Sequence, residues 1–597
     1  MSKFIMPISE YIWDMKYRYR QNNQLVDHTI EDTWQRVAKA VARAESSSLQ
    51  PSWEKSFYQT LEDFKFLPGG RILAGAGTSH SVTLFNCFVM DIAEDSMLGI
   101  FNALQEGALT LQQGGGVGYD FSILRPRGAL AKNTGLTASG PVSFMRIWDA
   151  TCAVLLSTGA RRGAMMGVLR CDHPDIEEFI AAKKDPHELR HFNVSVMVSD
   201  AFMQAVRQND DWPLVFPTDD IDSEVIYRQW GNCPEPVACR IHRYITARHL
   251  WESILQSAYN YAEPGVLFGD TINQGNNLWY REQINATNPC GEIPLPSYGA
   301  CNLGAINLTK FVRLPFTENA NINWQALEET VSIATRFQDN VIDVSRYPLK
   351  KQREQALGTR RIGLGVTGLA DLFVMLNLRY GSQASIKLSA DIMKKVADIT
   401  WQTSIELAKE KGKFPFFESK YLHGKFIEEL PANIQSELEK FGVRNSHHNT
   451  IAPAGTISLL ANNISNGIEP IFSASYSRHI LIADGSRQTF RVNDYAHKLW
   501  DNQRSSSLPP AWVDTNALTP EAHLQVQAAM QPYVDNAISK TINLPRDFPF
   551  EKLNDIYTQA YEAGLKGCTI FRPNEITGSV LEVNDDTDTD QTCQFYC

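Results

Sequence analysis

Short β-rich runs alternate with amphipathic helical stretches through the middle of this chain, and no internal repeat or low-complexity linker interrupts them before residue 575. TLFNCFVM, FNVSVMV and the segment around ACNLGAINL carry the β-branched and aromatic density of strands. Alternation of this kind implies an α/β architecture. A 597-residue chain without an internal cut reads as one large catalytic domain with appended pieces, and it has ample length to bury a core.

Two helices follow from apolar spacing. In IEDTWQRVAKAVARAE, about residues 30–45, Trp34, Val37, Ala38 and Val41 share a face, and Thr29 with Asp32 offers a capping box. In WQALEETVSIATRFQDNVIDV, Leu327, Val331, Ala334, Phe337 and Val341 form one apolar stripe, read as core packing. The acidic tail EVNDDTDTDQTCQFYC is poor in apolar residues and expected to be mobile, yet it ends in two cysteines.

Composition excludes several classes. With 43% hydrophobic and 21% charged residues and no apolar run of membrane-spanning length, a membrane role is not expected. The N-terminus lacks the apolar core and cleavage site of a secretory signal, which places the protein in the cytoplasm with its thiols reduced. A formal net charge of −11 without a long Lys/Arg tract argues against nucleic-acid binding. None of the ten cysteines belongs to a paired Cys-x-x-Cys set, so no structural metal is expected, and Cys152, Cys171, Cys233, Cys239 and Cys568 read as small buried hydrophobes.

Gly363, Gly365 and Gly368 have dinucleotide-fingerprint spacing, but the polar KKQREQALGTRR before them reads as helix or loop rather than the required strand, which disfavours a nicotinamide site. QQGGGVGYDF, with Gly114, Gly115, Gly116 and Gly118, reads as a flexible loop that lets backbone approach a ligand. IAPAGTISLLANN sets Pro453, Ala454, Gly455, Thr456, Ile457 and Ser458 at the head of a helix-like run, where free N–H groups favour a phosphate or merely a capped helix start.

The chemistry concentrates in NPCGEIPLPSYGACNL, residues 288–303. Asn288, Cys290 and Glu292 alternate and would face the same way if the segment is extended. Cys supplies a polarizable sulfur, Glu a general base or acid and Asn a fixed hydrogen-bonding group, a combination suited to chemistry on a hydroxylated substrate. A nucleophilic cysteine hydrolase would want a His, and none lies nearby. A redox reading asks for a partner thiol, which Cys301 or Cys87 supplies.

NPCGEIPL followed by ACNLGAINL resembles the radical-cysteine finger loop of the ribonucleotide reductase large chain. FNCFV at 85–89, the glycine loop at 114–118, STGARRGAMMG at 157–167, RRIGLGVTGLADL at 360–372 and PAGTIS at 453–458 occur in that family's order, over about residues 60–580. The resemblance implies a ten-stranded α/β barrel, two antiparallel five-stranded halves around a central finger loop, after a helical N-terminal segment. The implied division is 1–60 helical and without an ATP-cone, 61–580 catalytic barrel, and 581–597 flexible redox-active tail.

By the same resemblance, Cys290 would remove the ribose 3′ hydrogen, Glu292 would take the 3′-hydroxyl proton, and Asn288 would hydrogen-bond the sugar. Cys87 and Cys301 would deliver two electrons and a proton, closing a disulfide. Asn86, Gly116 and the Pro453–Ser458 loop would bind substrate, its backbone from Ala454 to Ser458 holding the phosphates. Asp95, Ser96, Lys132, Arg161, Arg162 and Met166 would serve a dNTP or ATP specificity effector, most naturally across a homodimer interface. An ordinary surface acid is an equal reading of Asp95.

Family branches differ in radical source. No glycyl-radical motif closes this chain, and the late stretch KGCTIFRPN reads Thr569, Ile570, Phe571 where the branch with a separate iron-bearing subunit relays electrons through adjacent tyrosines. The remaining branch, class II, uses adenosylcobalamin (vitamin B12). That branch is the expectation; a class I large subunit and a glycyl-radical lyase are the alternatives, and a lyase would not need the Cys87 and Cys301 dithiol. A silent nucleotide-binding regulator would have no use for the whole set. Cys593 and Cys597 form a C-x-x-x-C pair, expected to shuttle electrons from a thioredoxin or glutaredoxin-type reductant.

Overall fold

The structure, a computed structural model, describes residues 3–130, 135, 137–157, 161–220, 224–481, 487–501 and 508–574. Lys132, Cys593 and Cys597 lie outside these, as do the side chains of Arg161 and Arg162.

Three helices lead the chain: α1 (Pro7–Lys16), α2 (Ile30–Ala42) and α3 (Gln50–Leu61). The expected capping box starts α2, since Thr29 Oγ1 accepts from the Asp32 N–H and Asp32 accepts from the Thr29 N–H at 2.8 Å. Trp34, Val37, Ala38 and Val41 are buried on its inner face. A buried Glu45 then ties this layer to the rest. It accepts from Arg336 twice at 2.8 Å, from Asn340 at 2.8 Å and from Lys411 at 2.9 Å. These partners outweigh the burial that would raise its carboxyl and hold it at about 2.

The main sheet has ten strands. They are β1 (Phe66–Pro68), β2 (Cys87–Val89), β3 (Gly116–Asp120), β4 (Met165–Arg170), β5 (Phe192–Val198), β6 (Gly265–Phe268), β7 (Ala300–Asn307), β8 (Ile362–Thr367), β9 (Thr541–Asn543) and β10 (Gly567–Phe571). Strands β2 to β6 lie parallel in chain order. At one edge of that set β6 pairs antiparallel with β10, which pairs parallel with β9. At the other edge β2 pairs antiparallel with β7, which pairs parallel with β8 and antiparallel with β1. Single parallel bridges join Leu364 to Asn449 and Ile451 to Ile538.

Two helices matter below: α4 (Met97–Gln112), which follows β2, and α5 (Trp324–Val344), the predicted stripe, whose Leu327, Val331, Ala334, Phe337 and Val341 are buried. Strand alternation divides the sheet's two faces. Phe88, Phe192, Val194, Val196, Val198, Cys568 and Ile570 pack outward against helices, whereas Cys87, Val89, Met166, Val168, Leu267, Cys301 and Leu303 form a separate inner cluster with Ala286, Ile293 and Leu295.

One glycine stretch departs from its local reading and another agrees with it. QQGGGVGYDF is not a loop throughout: Gly116 opens β3. Its glycines are required by close approach, because a Cβ on Gly118 would fall 1.8 Å from the Thr287 carbonyl oxygen. RRIGLGVTG contains strand β8, preceded by the helix Lys350–Thr359 as its polar sequence suggests, and a Cβ on Gly365 would fall 2.0 Å from the Thr450 carbonyl oxygen. Packing of backbone against backbone, rather than a phosphate, accounts for that glycine. Among the cysteines, Cys152, Cys171, Cys239 and Cys568 are buried, but Cys233 is exposed at the loop after Trp230 and is no core residue. Among the described residues no helix is long and apolar enough to cross a membrane, and no group of three His, Cys, Asp or Glu is placed to hold a metal.

Candidate active site

Cys87 in β2 and Cys301 in β7 are directly opposed across the antiparallel pair. Opposed residues in such a pair have Cα atoms about 4.5–5.5 Å apart, within the span that a disulfide bridges. Both are thiols here, buried on the inner face.

The segment carrying Asn288, Cys290 and Glu292 is not extended. Ala286–Thr287 pairs antiparallel with Pro294–Leu295, and the residues between them turn. The Gly291 N–H donates to the Asn288 carbonyl at 3.1 Å, and the Ile293 N–H donates to Asn288 Oδ1 at 3.0 Å. Gly291 has φ +82°, a conformation that favours glycine. The turn therefore replaces the one-sided alternation: Asn288 and Glu292 are buried and converge on Cys87, while Cys290 is exposed at the tip.

Asn288 Nδ2 donates to Cys87 Sγ at 3.2 Å, and Cys87 Sγ donates to Glu292 Oε1 at 3.8 Å. The second carboxylate oxygen, Glu292 Oε2, is buried without a hydrogen-bond partner among the described residues. Burial pushes this carboxyl up to about 7, against hydrogen bonds from Asn288, its own backbone and Cys87. It is poised to exchange a proton near neutral pH. Burial, and next the Glu292 charge, pushes the Cys87 thiol well up; burial also raises Cys301, opposed by the Arg361 guanidinium. Both sulfurs thus hold their protons at neutral pH.

Both sides of the sheet grip the hairpin. Asn193 Nδ2 in β5 donates to the Pro289 carbonyl at 2.7 Å. Thr450 Oγ1 at 2.8 Å and the Ala537 N–H at 3.0 Å donate to the Glu292 carbonyl. Gly116 lies against the Pro289 ring, which a Cβ there would meet at 3.2 Å. Asn193 and Thr450 belong to no motif that marks them in the sequence. The trace of Asn193 is its place in FNVSVMV, where Asn193 and Ser195 alternate with the outward Val194 and Val196.

The remaining candidates fall into two groups. Near the hairpin, the Asn86 carbonyl accepts from the Gly116 N–H at 2.8 Å, and its buried Oδ1 has no partner among the described residues. Pro453 follows Thr450 closely and leads into α6 (Gly455–Leu460), where the Ala454 N–H donates to Asn466 Oδ1 and Ser458 Oγ lies 3.5 Å from Thr367 Oγ1 at the end of β8. Ala454 and Ser458 are buried, whereas Pro453, Gly455, Thr456 and Ile457 are half-buried, with the first-turn N–H groups that a helix leaves unpaired.

Farther out, Asp95 accepts from Arg125 Nε at 2.6 Å, and Ser96 Oγ caps α4 by accepting from the Gly99 N–H at 3.1 Å. Arg161 and Arg162 form a short antiparallel pair with Leu156 and Ser157 just before β4. Met166, in β4 itself, belongs to the inner cluster with Cys87.

The family model described as "Ribonucleotide reductase, barrel domain" matches residues 85–571, and that described as "Ribonucleotide reductase, all-alpha domain" matches residues 5–81. The chain belongs to the ribonucleotide reductase large-chain family. A Mycobacterium tuberculosis relative named "Vitamin B12-dependent ribonucleoside-diphosphate reductase" is 37% identical over 572 residues, covering 92% of this chain and 76% of its own length. A Thermoplasma acidophilum protein of the same name is 33% identical over 598 residues, covering 97% and 72%. The alpha subunit of a Chlamydia pneumoniae ribonucleoside-diphosphate reductase is 26% identical over 639 residues, covering 96% and 60%.

Within the ribonucleotide reductase frame, the dithiol, the carboxyl of intermediate acidity and the exposed tip thiol occupy one place. A buried pair of opposed thiols, a carboxyl of intermediate acidity and an exposed thiol are thereby assembled around a single hairpin.

Proposed function

We propose that this chain reduces ribonucleotides, as their diphosphates, to 2′-deoxyribonucleotides, with Cys290 as the hydrogen-atom carrier and adenosylcobalamin as its radical source. One observation carries this reading: the opposed Cys87 and Cys301 thiols lie against Asn288 and Glu292 beneath an exposed Cys290. A hydrolase or a plain binding protein has no use for that set.

The thiyl radical of Cys290 takes the 3′ hydrogen atom. Glu292 takes the 3′-hydroxyl proton through its unpartnered Oε2, and Asn288 orients the sugar. The 2′-hydroxyl then leaves as water. Cys87 and Cys301 supply the two electrons and two hydrogens that balance this loss and close a disulfide, and Cys290 returns a hydrogen atom to the 3′ carbon. Asn86, Gly116 and the Pro453–Ser458 segment bind the nucleotide, with the backbone of Ala454 to Ser458 on the phosphates.

The residues present fit the cofactor. Cys290 is exposed, and a Cβ on the adjoining Gly291 would meet nothing within 4 Å, so there is open space beside the thiol. Asn193 and Thr569 are exposed on the hairpin side of the sheet; a Cβ on Gly265 would meet Ser195 Oγ at 3.0 Å and Thr569 Oγ1 at 3.2 Å, which places Thr569 on the same face as Ser195. Cys290, Asn193 and Thr569 would face the bound group, an amide-rimmed corrin. When bound, adenosylcobalamin supplies a hydrogen-abstracting radical by homolysis of its cobalt–carbon bond. A tyrosine relay from a separate subunit is then unnecessary, in keeping with Thr569, Ile570 and Phe571 in β10.

The surrounding architecture is a ten-stranded barrel. Strands β2 to β6 make one half, and β7, β8, residues 449–451, β9 with residue 538, and β10 make the other; the Leu364–Asn449 and Ile451–Ile538 bridges support this closure. Residues 1–60 form the helical segment, 61–580 the barrel and 581–597 the tail, with Cys593 and Cys597 relaying electrons from a thioredoxin or glutaredoxin-type protein. Two copies pair through α4, whose Met97, Leu98 and Phe101 are exposed. A dNTP or ATP effector bound near Asp95, Ser96, Lys132, Arg161 and Arg162 communicates through Met166 toward the substrate base.

The deciding assay is anaerobic turnover of each ribonucleoside diphosphate with adenosylcobalamin and a dithiol. Deoxyribonucleotide is the expected product. No product, with turnover restored by an iron-bearing small subunit, would assign the chain to the other branch.

A further inference from the structure

The geometry points to Asn193 as the positioning residue for the Cys290 thiol: a side chain of β5 that holds the tip of the hairpin by the carbonyl next to the cysteine. This rests on the reading of Cys290 as hydrogen carrier, and it concerns how that thiol is kept in one place.

The hairpin is held at two carbonyls that bracket Cys290. On the far side, the Glu292 carbonyl takes the Ala537 N–H and the Thr450 hydroxyl. That clamp fixes the carboxylate. Between it and Cys290 stands Gly291, at φ +82° with nothing within 4 Å of the place a Cβ would occupy, so no side-chain packing at that residue adds to its turn hydrogen bond to Asn288. On the near side, Asn193 Nδ2 donates to the Pro289 carbonyl at 2.7 Å. This carbonyl belongs to the peptide unit that ends in the Cys290 nitrogen. Fixing its direction fixes the peptide plane from which the Cys290 side chain projects.

Asn193 is itself well held. It is the second residue of β5, paired with Met166 of β4, with Phe192 and Val194 on either side packed in the outer core. Its side chain is nevertheless exposed, as a residue facing an open interior must be. A strand paired on both sides thus aims a donor at the turn that carries Cys290. A transferring hydrogen atom needs donor and acceptor held closely, and misplacement by about 1 Å is enough to cost about 100-fold in rate.

The test uses the full-length chain with Asn193→Ala, with Asn193→Asp, which keeps the shape but cannot donate, and with Asn193→His, whose Nδ1–H restores a donor. Two readouts are taken. In the cofactor-free, substrate-free protein, carboxamidomethylation of Cys290 by iodoacetamide is followed by peptide mass spectrometry. In the cobalamin-loaded enzyme, kcat and KM are separated. The expected result is a labelling rate at Cys290 raised at least threefold and a kcat lowered at least tenfold in the Ala and Asp variants, with KM within twofold and melting temperature unchanged. The His variant should recover most of both. Labelling and kcat both within twofold of the parent would overturn the assignment, as would a raised KM at constant kcat, which makes Asn193 a substrate contact. Turnover surviving in a Cys290→Ser control would instead reject Cys290 as the carrier, while the labelling arm would still judge Asn193.

Discussion

The Cys87 thiol lies 3.8 Å from Glu292 Oε1 although 205 residues separate them along the chain. This contact sets a proton donor beside a carboxyl that burial has lifted from 4.5 to about 7. If Glu292 is the base for the 3′ hydroxyl, Glu292→Gln should lower kcat by about 10²–10⁴-fold. In the parent, kcat should rise with pH through about 7, since the base acts only when ionised. A flat profile between pH 6 and 8, with chemistry rate-limiting, would remove Glu292 from that role.

The same shift makes a stability prediction of opposite sense to activity. Below an unfolded carboxyl value near 4.5, Glu292 is neutral in both states and contributes no pH dependence. Between 4.5 and about 7 the folded state binds the extra proton, so stability falls as pH rises through that window. The full cost above pH 7 is on the order of 3 kcal/mol. Glu292→Gln should therefore be more stable than the parent at pH 8, and the difference should shrink toward pH 5. Denaturant melts at the two pH values check this.

The opposed cysteines predict a defined stoichiometry. Without added reductant, the fully reduced parent should make about two deoxyribonucleotides per active site, one from the Cys87 and Cys301 dithiol and one after the tail dithiol has re-reduced it, and then stop. Replacing Cys593 and Cys597 together by Ser should leave about one turnover, with Cys87 and Cys301 then protected from alkylation, and abolish multiple turnover with thioredoxin. Unchanged steady-state rates in the double variant would exclude the tail as the relay.

How far such a site is legible in the sequence depends on whether its contacts are local. Helix α5 was predictable to its ends because one stripe, Leu327 to Val341, repeats at helical spacing. The five chemical residues stood out by type and by order of motifs. The turn at Asn288–Ile293 did not, because a local reading of alternating residues assumes extension, whereas the Ile293 N–H folds back onto Asn288 Oδ1. Gly116 and Gly118 read as loop, since strand propensity gives no hint that a carbonyl of the hairpin will press on β3. Asn193 and Thr450 have no local signature for their role, which exists only once the Pro289 and Glu292 carbonyls arrive from 96 and 158 residues away.

Helix α4 offers a prediction about assembly. Met97, Leu98, Phe101 and Leu109 are 60%, 71%, 44% and 41% exposed and fall within one side of the helix. Each large apolar side chain buried on pairing contributes about 1.5–3 kcal/mol. Leu98→Asp should therefore weaken self-association at least tenfold in sedimentation equilibrium, with little change in melting of the monomer. A parent that sediments as a monomer at micromolar concentration would refute the pairing.

Gly118 ties the barrel wall to the hairpin most directly. Its missing Cβ lets the Thr287 carbonyl come to where a methyl group would lie only 1.8 Å away. Thr287 is the residue before Asn288, so relief of that clash must displace the hairpin, bend β3, or both. Overpacking of a tight interior typically costs about 1–3 kcal/mol. Gly118→Ala should thus lower the melting temperature by about 1–2 °C in a chain of this size. It should also reduce kcat far more than that loss of stability explains, because the displaced segment carries Asn288 and Glu292 away from Cys87. Assay well below the melting transition separates the two effects. Full activity in a folded Gly118→Ala protein would mean that the hairpin tolerates movement, and that the register of Cys87 against Glu292 is not what sets the rate.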